Sequence, residues 1–138
     1  MVSLLSGVFL GWSLGANDAS NVFGSAVSAR MLRFWTAALL ASGFVILGSL
    51  LEGQAGIETL QNITPMGLKE AAVSSLAAAA TVTLMTFARL PVSTSQAVVG
   101  AILGIAVLNR ELNAPNLSKI VACWIGTPIG GMLIAMVL

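Results

Sequence analysis

Charged side chains are so sparse in this chain that they leave long uncharged stretches, among them the largely apolar 34–51, 71–88 and 120–138. A bilayer core of about 30 Å needs about 20 mainly apolar residues in one helix. Each stretch, with a further turn, meets that requirement. Only 8% of the chain is charged and 57% is hydrophobic, against about 25% charged in an ordinary soluble domain. The expectation is therefore an all-α integral membrane protein, read as a single membrane domain over 1–138. Net charge is +1, so nothing suggests a nucleic-acid partner. There is no histidine, and Cys123 is the one cysteine, which removes histidine-based metal sites, His-dependent catalysis and a disulfide framework.

Two further segments bring the expected number of membrane segments to about five, and neither is an ordinary span. Met1–Ala29 carries one charge, Asp18. As a continuous helix it would be about 43 Å long, too long unless strongly tilted or broken, and Gly15-Ala16-Asn17-Asp18 is where a break is expected. Val92–Leu108 follows Arg89-Leu90-Pro91, and its first residues, up to Gln96, are small and polar. The remaining dozen residues give about 18 Å of helix, too short to cross. This segment reads as a half-helix. Loops are expected at 30–33, 52–69 and 108–119, the second rich in glycine with Pro65 and the third rich in asparagine with Pro115. If every segment crosses, Arg30, Arg33 and Arg89 share one side and Lys69, Arg110 and Lys119 the other. The arginines lie closer to helix ends, so their side is expected to be cytoplasmic.

Glycines repeat at four-residue spacing in Gly7-Gly11-Gly15, Gly100-Gly104 and Gly126-Gly130. Such stripes let helix backbones approach closely, and they place the two unusual segments inside a bundle. The N-terminus lacks a basic region before its apolar part, so no cleaved signal peptide is expected. The apolar finish at Leu138 is expected either of a truncated chain or of one piece of a larger assembly.

The polar interruptions carry the chemistry. A carboxylate at the bilayer centre costs about 2.5–3.5 kcal/mol on insertion scales, which makes Asp18 a functional residue by default. Asp18, Asn17 and Asn21 offer oxygen ligands that suit a small hard cation. Pro91 ends one element, and Ser93, Thr94, Ser95 and Gln96 then open a helix whose free N–H groups attract anions. An anion beside Asp18 is repelled unless a cation or a proton joins it. That pairing is the logic of coupled transport, and interrupted membrane helices are its structural pointer.

Gly15–Gly24, GANDASNVFG, resembles the signature of the inorganic phosphate transporter family, which runs close to G-A-N-D-x-x-N-x-x-G. Pro91–Gly104, PVSTSQAVVGAILG, resembles the family's second motif, P-x-S-[TS]-[TS]-[HQ] followed by a V-G pair. The order matches, and two expected spans separate the motifs. The resemblance implies one half of an inverted-repeat transporter with two broken or half-helices, matching the family's N-terminal repeat. The partner repeat is absent from this chain, and a second repeat or second chain, in a homo-oligomer or a longer protein, would complete the site. It implies cation-coupled inorganic phosphate transport by alternating access and no enzyme. Sodium is the expected coupling ion and the proton the alternative, with no other cofactor. Sodium ligands fall on Asn17, Asp18 and Asn21. Phosphate contacts fall on Asn21, Ser93, Thr94, Ser95 and Gln96. Gln96 stands where many relatives have histidine, and an amide cannot relay protons by titrating. The expected location is a prokaryotic inner membrane, crossed several times and solvated by lipid. The alternative reading is a non-transporting or truncated membrane subunit that packs or regulates.

Overall fold

In the computed structural model, which describes residues 2–137, five helices follow one another: α1 Val2–Ser28, α2 Phe34–Gln61, α3 Leu68–Phe87, α4 Thr94–Asn109 and α5 Ala114–Val137. The helices α2, α3 and α5 are long and apolar enough to cross a membrane. α4 has 16 residues, about 24 Å, and falls short of the hydrocarbon thickness as the sequence implied.

The expected break in α1 is absent. The helix runs through Gly15, Ala16, Asn17 and Asp18 without interruption over 27 residues, about 40 Å. No proline forces a stop there. Asparagine and aspartate each lose only about 0.7 kcal/mol of helix propensity. Opening the backbone inside lipid would strand N–H and C=O groups at several kcal/mol each. The side chains instead find partners on another element, so the helix has no need to open. Of the two interruptions, only the one before α4 is real.

Two loops are shorter than expected. α2 continues to Gln61, carrying Glu52, Gly53, Gly56 and Glu58 inside it. Gln54 Nε2 donates to Glu58 Oε1 at 3.2 Å, one turn on, a pairing that supports the glycine-bearing stretch. α5 begins at Ala114, so Pro115 occupies its first turn, where its missing N–H leaves no bond unmade. Asn113 caps this end by accepting the Asn116 N–H on Oδ1 at 3.3 Å.

Hydrogen bonds fix which helix ends lie together. Asn109 Nδ2 donates to Glu70 Oε1 at 2.9 Å, tying the end of α4 to the start of α3. Asn113 N donates to Ile63 O at 2.9 Å, and Asn116 Nδ2 donates to Asn62 O at 2.9 Å, tying the start of α5 to the end of α2. One end of the bundle thus gathers residues 61–70 and 109–116. The connections 29–33 and 88–93 lie at the other end, a helix length away.

The principal packing is α1 on α3, then α3 on α4. The contact faces are small and tight: Ser6, Ser13 and Asn17 on α1, and Ala72, Ser74, Ala78, Ala79 and Val82 on α3, are all buried. Ser6 and Ser13 return their hydroxyls to the carbonyls of Ser3 and Leu10, so neither carries an unmet donor into the interface. A second apolar cluster joins Ile63, Val99 and Ile102, with Leu117, Ile120 and Trp124 of α5 packed against it. The glycine stripes do not mediate these contacts. A Cβ built on Gly7, Gly11, Gly15, Gly100 or Gly104 meets nothing within 4 Å. Those faces are open within this chain, and serine and alanine make the close approaches in their place.

Ala79 is completely buried. Enlarging a well-packed position typically costs about 1–3 kcal/mol. Ala79→Leu is expected to destabilise the fold by that amount, read as an earlier unfolding midpoint in detergent titration, whereas Ala77→Leu on the exposed face of the same turn should leave the midpoint in place.

Three helices end in the same unusual way. Arg30, Arg89 and Arg110 adopt φ of 57°, 58° and 58°, the left-handed region that glycine normally fills at a helix end. Each end closes with the wide bond of a Schellman turn: Met31 N to Ala26 O, Leu90 N to Met85 O and Glu111 N to Ala106 O. An arginine held there costs about 1 kcal/mol relative to a relaxed backbone.

Candidate functional site

The polar residues of α1 and the start of α4 meet. Asn17 is 5% exposed and Thr94 is 3% exposed, and Asp18 is half-buried. Asn17 Nδ2 donates to the Val92 carbonyl at 2.8 Å and to Asp18 Oδ1 at 2.8 Å, with Thr94 Oγ1 at 3.4 Å as a longer third partner. Thr94 Oγ1 in turn donates to Asp18 Oδ1 at 3.0 Å. Two motifs more than seventy residues apart are thereby joined by a carboxylate, an amide, a hydroxyl and one backbone carbonyl.

Local chemistry explains how each group arrives there. Pro91 cannot continue a helix, so Leu90–Ser93 is irregular and the Val92 carbonyl has no helical partner. Ser93 is the N-cap of α4, with φ −86° and ψ 117°. Its Oγ accepts the Gln96 N–H at 3.3 Å, satisfying one of the free donors that open every helix. Thr94 then falls at the first helical position and faces α1. On α1, Ser20 Oγ donates to the Asn17 carbonyl at 2.7 Å.

Among the described residues, both hydrogen bonds to the Asp18 carboxylate fall on Oδ1. Oδ2 is left for another partner. The α4 N-terminus supplies positive dipole and N–H donors beside it. The oxygens gathered there, from the Asp18 carboxylate, the Thr94 hydroxyl and the Val92 carbonyl, fit a hard cation better than a transition metal, and no group of three or more His, Cys, Asp or Glu suited to a metal ion occurs among the described residues.

The expected site residues divide into two groups. Asn17, Asp18 and Thr94 are brought into direct contact. Asn21 lies one turn beyond Asn17 on α1 and is exposed, as are Ser93, Ser95 and Gln96. These four have no hydrogen bond to the Asn17–Asp18 pair among the described residues. Sequence reasoning missed the Val92 carbonyl, because a backbone acceptor carries no residue-type signal. The clue was the serine N-cap: the Gln96 N–H, which would serve the Val92 carbonyl in a continued helix, goes to Ser93 Oγ instead. A cleft of about 440 Å³ lies at the opposite end of the bundle, lined by residues such as Asn62, Thr64, Arg110 and Asn113. It shares no residue with the Asn17–Thr94 contact.

Fold and site together define an α-helical membrane protein that holds a carboxylate, an amide and a hydroxyl in contact between two helices. Comparison with known proteins narrows this further. The model of the phosphate transporter family matches residues 14–138, and the chain belongs to that family. It is 29% identical over 137 residues to a candidate phosphate permease of Methanocaldococcus jannaschii, covering 98% of this chain and 44% of that protein. It is 34% identical over 142 residues to a candidate phosphate permease of Helicobacter pylori strain J99, covering 94% of this chain and 27% of that protein. It is 30% identical over 146 residues to the chloroplastic inorganic phosphate transporter 2-1 of Arabidopsis thaliana, covering 96% of this chain and 25% of that protein. The chain thus spans between a quarter and a half of the length of these relatives. No solved structure matches it.

Proposed function

We propose that this chain supplies one half of the binding site of a sodium-coupled inorganic phosphate transporter working by alternating access. Asp18 holds the cation, with Asn17 and Asn21 beside it. Phosphate is held by Asn21, Ser93, Thr94, Ser95 and Gln96 and by the N–H groups that open α4. A second, inverted repeat, in a longer chain or a second copy of this one, completes the site.

The observation that carries this reading is the direct bond between the two motifs, Thr94 Oγ1 to Asp18 Oδ1 at 3.0 Å. It places a carboxylate at the opening of a helix, where an anion would otherwise be favoured. A phosphate there would meet like charge in a medium of low dielectric. A cation on Asp18 Oδ2 relieves the conflict and is attracted by both neighbours. Because no lysine or arginine lies in either motif, the anion is released when the cation departs. Binding of each ion thus depends on the other, which is what coupling requires.

Labelled phosphate binding to the assembled protein, with sodium or with choline in its place, tests the proposal. Sodium should raise phosphate affinity, and phosphate should raise sodium affinity by the same factor. If the proton is the coupling ion, binding will follow pH and ignore sodium. No phosphate binding under any of these conditions would favour a subunit that only packs or regulates.

A further inference from the structure

The two ends of the bundle differ in charge, and the difference is sharper in the fold than along the chain. One end carries Lys69, Arg110 and Lys119 together with Glu58, Glu70 and Glu111. The other, formed by residues 29–33 and 88–93, carries Arg30, Arg33 and Arg89 and no carboxylate in those connections; the one acid near it, Asp18, is turned inward against Asn17 and Thr94. We infer that this second end is a docking surface for anionic phospholipid headgroups.

Three observations converge on that partner. The first is charge complementarity, since three cations on one end face no acid in their own connections. The second is location. Arg30 and Arg33 flank Met31, 79% exposed, and precede Phe34 and Trp35, 63% and 75% exposed, while Arg89 lies between Phe87, 78% exposed, and Leu90, 55% exposed. Apolar side chains of this size beside each cation fit the boundary between acyl chains and headgroups, where aromatic belts sit. The third is backbone strain. Arg30 and Arg89 occupy left-handed positions in which glycine would be relaxed. An arginine adds there what glycine cannot, a planar fork of donors matched to phosphate oxygens.

A guanidinium at a helix C-terminus also complements the dipole, and Arg110 separates that role from the lipid role. It has the same backbone geometry but lies at the charge-balanced end. The experiment uses the full chain in nanodiscs of phosphatidylcholine alone or with one third phosphatidylglycerol, and reads the thermal midpoint and the binding of a fluorescent phosphatidylglycerol. The wild type should melt higher in the anionic discs, and the increment should shrink with salt. Affinity for the probe should fall about fivefold for each arginine removed. The triple variant Arg30→Gly/Arg33→Gln/Arg89→Gly, whose glycines suit the left-handed positions, should fold and lose the increment. Arg110→Gly should keep it. Inorganic phosphate added to phosphatidylcholine discs should not reproduce it. Persistence of the increment in the triple variant, its absence in the wild type, its loss in Arg110→Gly, or its replacement by free phosphate would each overturn the inference.

Discussion

Asp18→Asn is expected to remove the sodium dependence of phosphate binding while leaving the protein folded. Asparagine keeps an oxygen at Oδ1, so the bonds from Asn17 Nδ2 and Thr94 Oγ1 can persist and α1 stays docked on α4. What disappears is the negative charge. Two unit charges 4 Å apart attract by about 4 kcal/mol at an effective dielectric of 20. Asp18 is only half-buried, and screening at such a site brings the interaction to about 2 kcal/mol, or roughly a thirtyfold loss of sodium affinity. Phosphate measured without sodium should bind the variant at least as well as the wild type, because like-charge repulsion has gone with the carboxylate. The pair of outcomes separates a cation ligand from a residue that merely caps or packs: a packing residue would lower both affinities together. Phosphate binding by Asp18→Asn that still rises with sodium, to the wild-type extent, would remove Asp18 from the ion site.

How much of this was legible beforehand differs between the two motifs. The half-helix after Pro91 followed from proline's missing donor and the short apolar run behind it, and α4 starts at Thr94 as that logic requires. The meeting of Asp18 and Thr94 is expected from two interrupted segments converging; the residues do bond directly, although only the interruption before α4 exists. The break at Gly15–Asp18 is expected from length, but a helix longer than the hydrocarbon can tilt or extend past it instead of breaking. In lipid the opened backbone has no alternative partner, and an intact helix is the cheaper state. The loop at Glu52 is expected from turn-forming residues, yet two glycines there sit inside α2. Pro65 and Pro91 lie at boundaries, but Pro128 is carried inside α5, and Gly67 caps α3 while Gly53 and Gly56 interrupt nothing, so neither residue type marks a boundary by itself. The glycine stripes also misled: spacing shows which residues share a face but not whether anything covers it, and within this chain nothing does. The arginine-capped helix ends had no sequence signal, since left-handed geometry is ordinarily announced by glycine.

The same cluster sets the second large effect, on stability. Asn17 is the hub that ties α1 to the start of α4, and Asn17→Leu is expected to destabilise the protein by about 2–4 kcal/mol. Leucine is close in size and a slightly better helix former, which recovers a few tenths of a kcal/mol. Against that, the Val92 carbonyl loses its Asn17 donor and Asp18 Oδ1 loses one of its two. A buried polar group left without its bond costs about 1–3 kcal/mol. Asp18 sits at the low end of that range, because Thr94 still donates to it and half of it is open. Interhelical hydrogen bonds in membrane proteins average only about 0.6 kcal/mol when each is removed singly, so the size of the effect depends on one amide serving several acceptors. Thr94→Val, which keeps the shape but removes the hydroxyl, should cost less, about 1 kcal/mol, because Asn17 retains Val92 and Asp18. The double variant should be less destabilised than the sum of the two by about 0.5–1 kcal/mol, the signature of residues sharing one network. Reversible unfolding in mixed micelles measures all four corners of the cycle. Strict additivity, or an Asn17→Leu protein as stable as the wild type, would mean that α1 is held by its serine and alanine contacts with α3 alone, and that the polar bridge to α4 is kept for binding rather than for the fold.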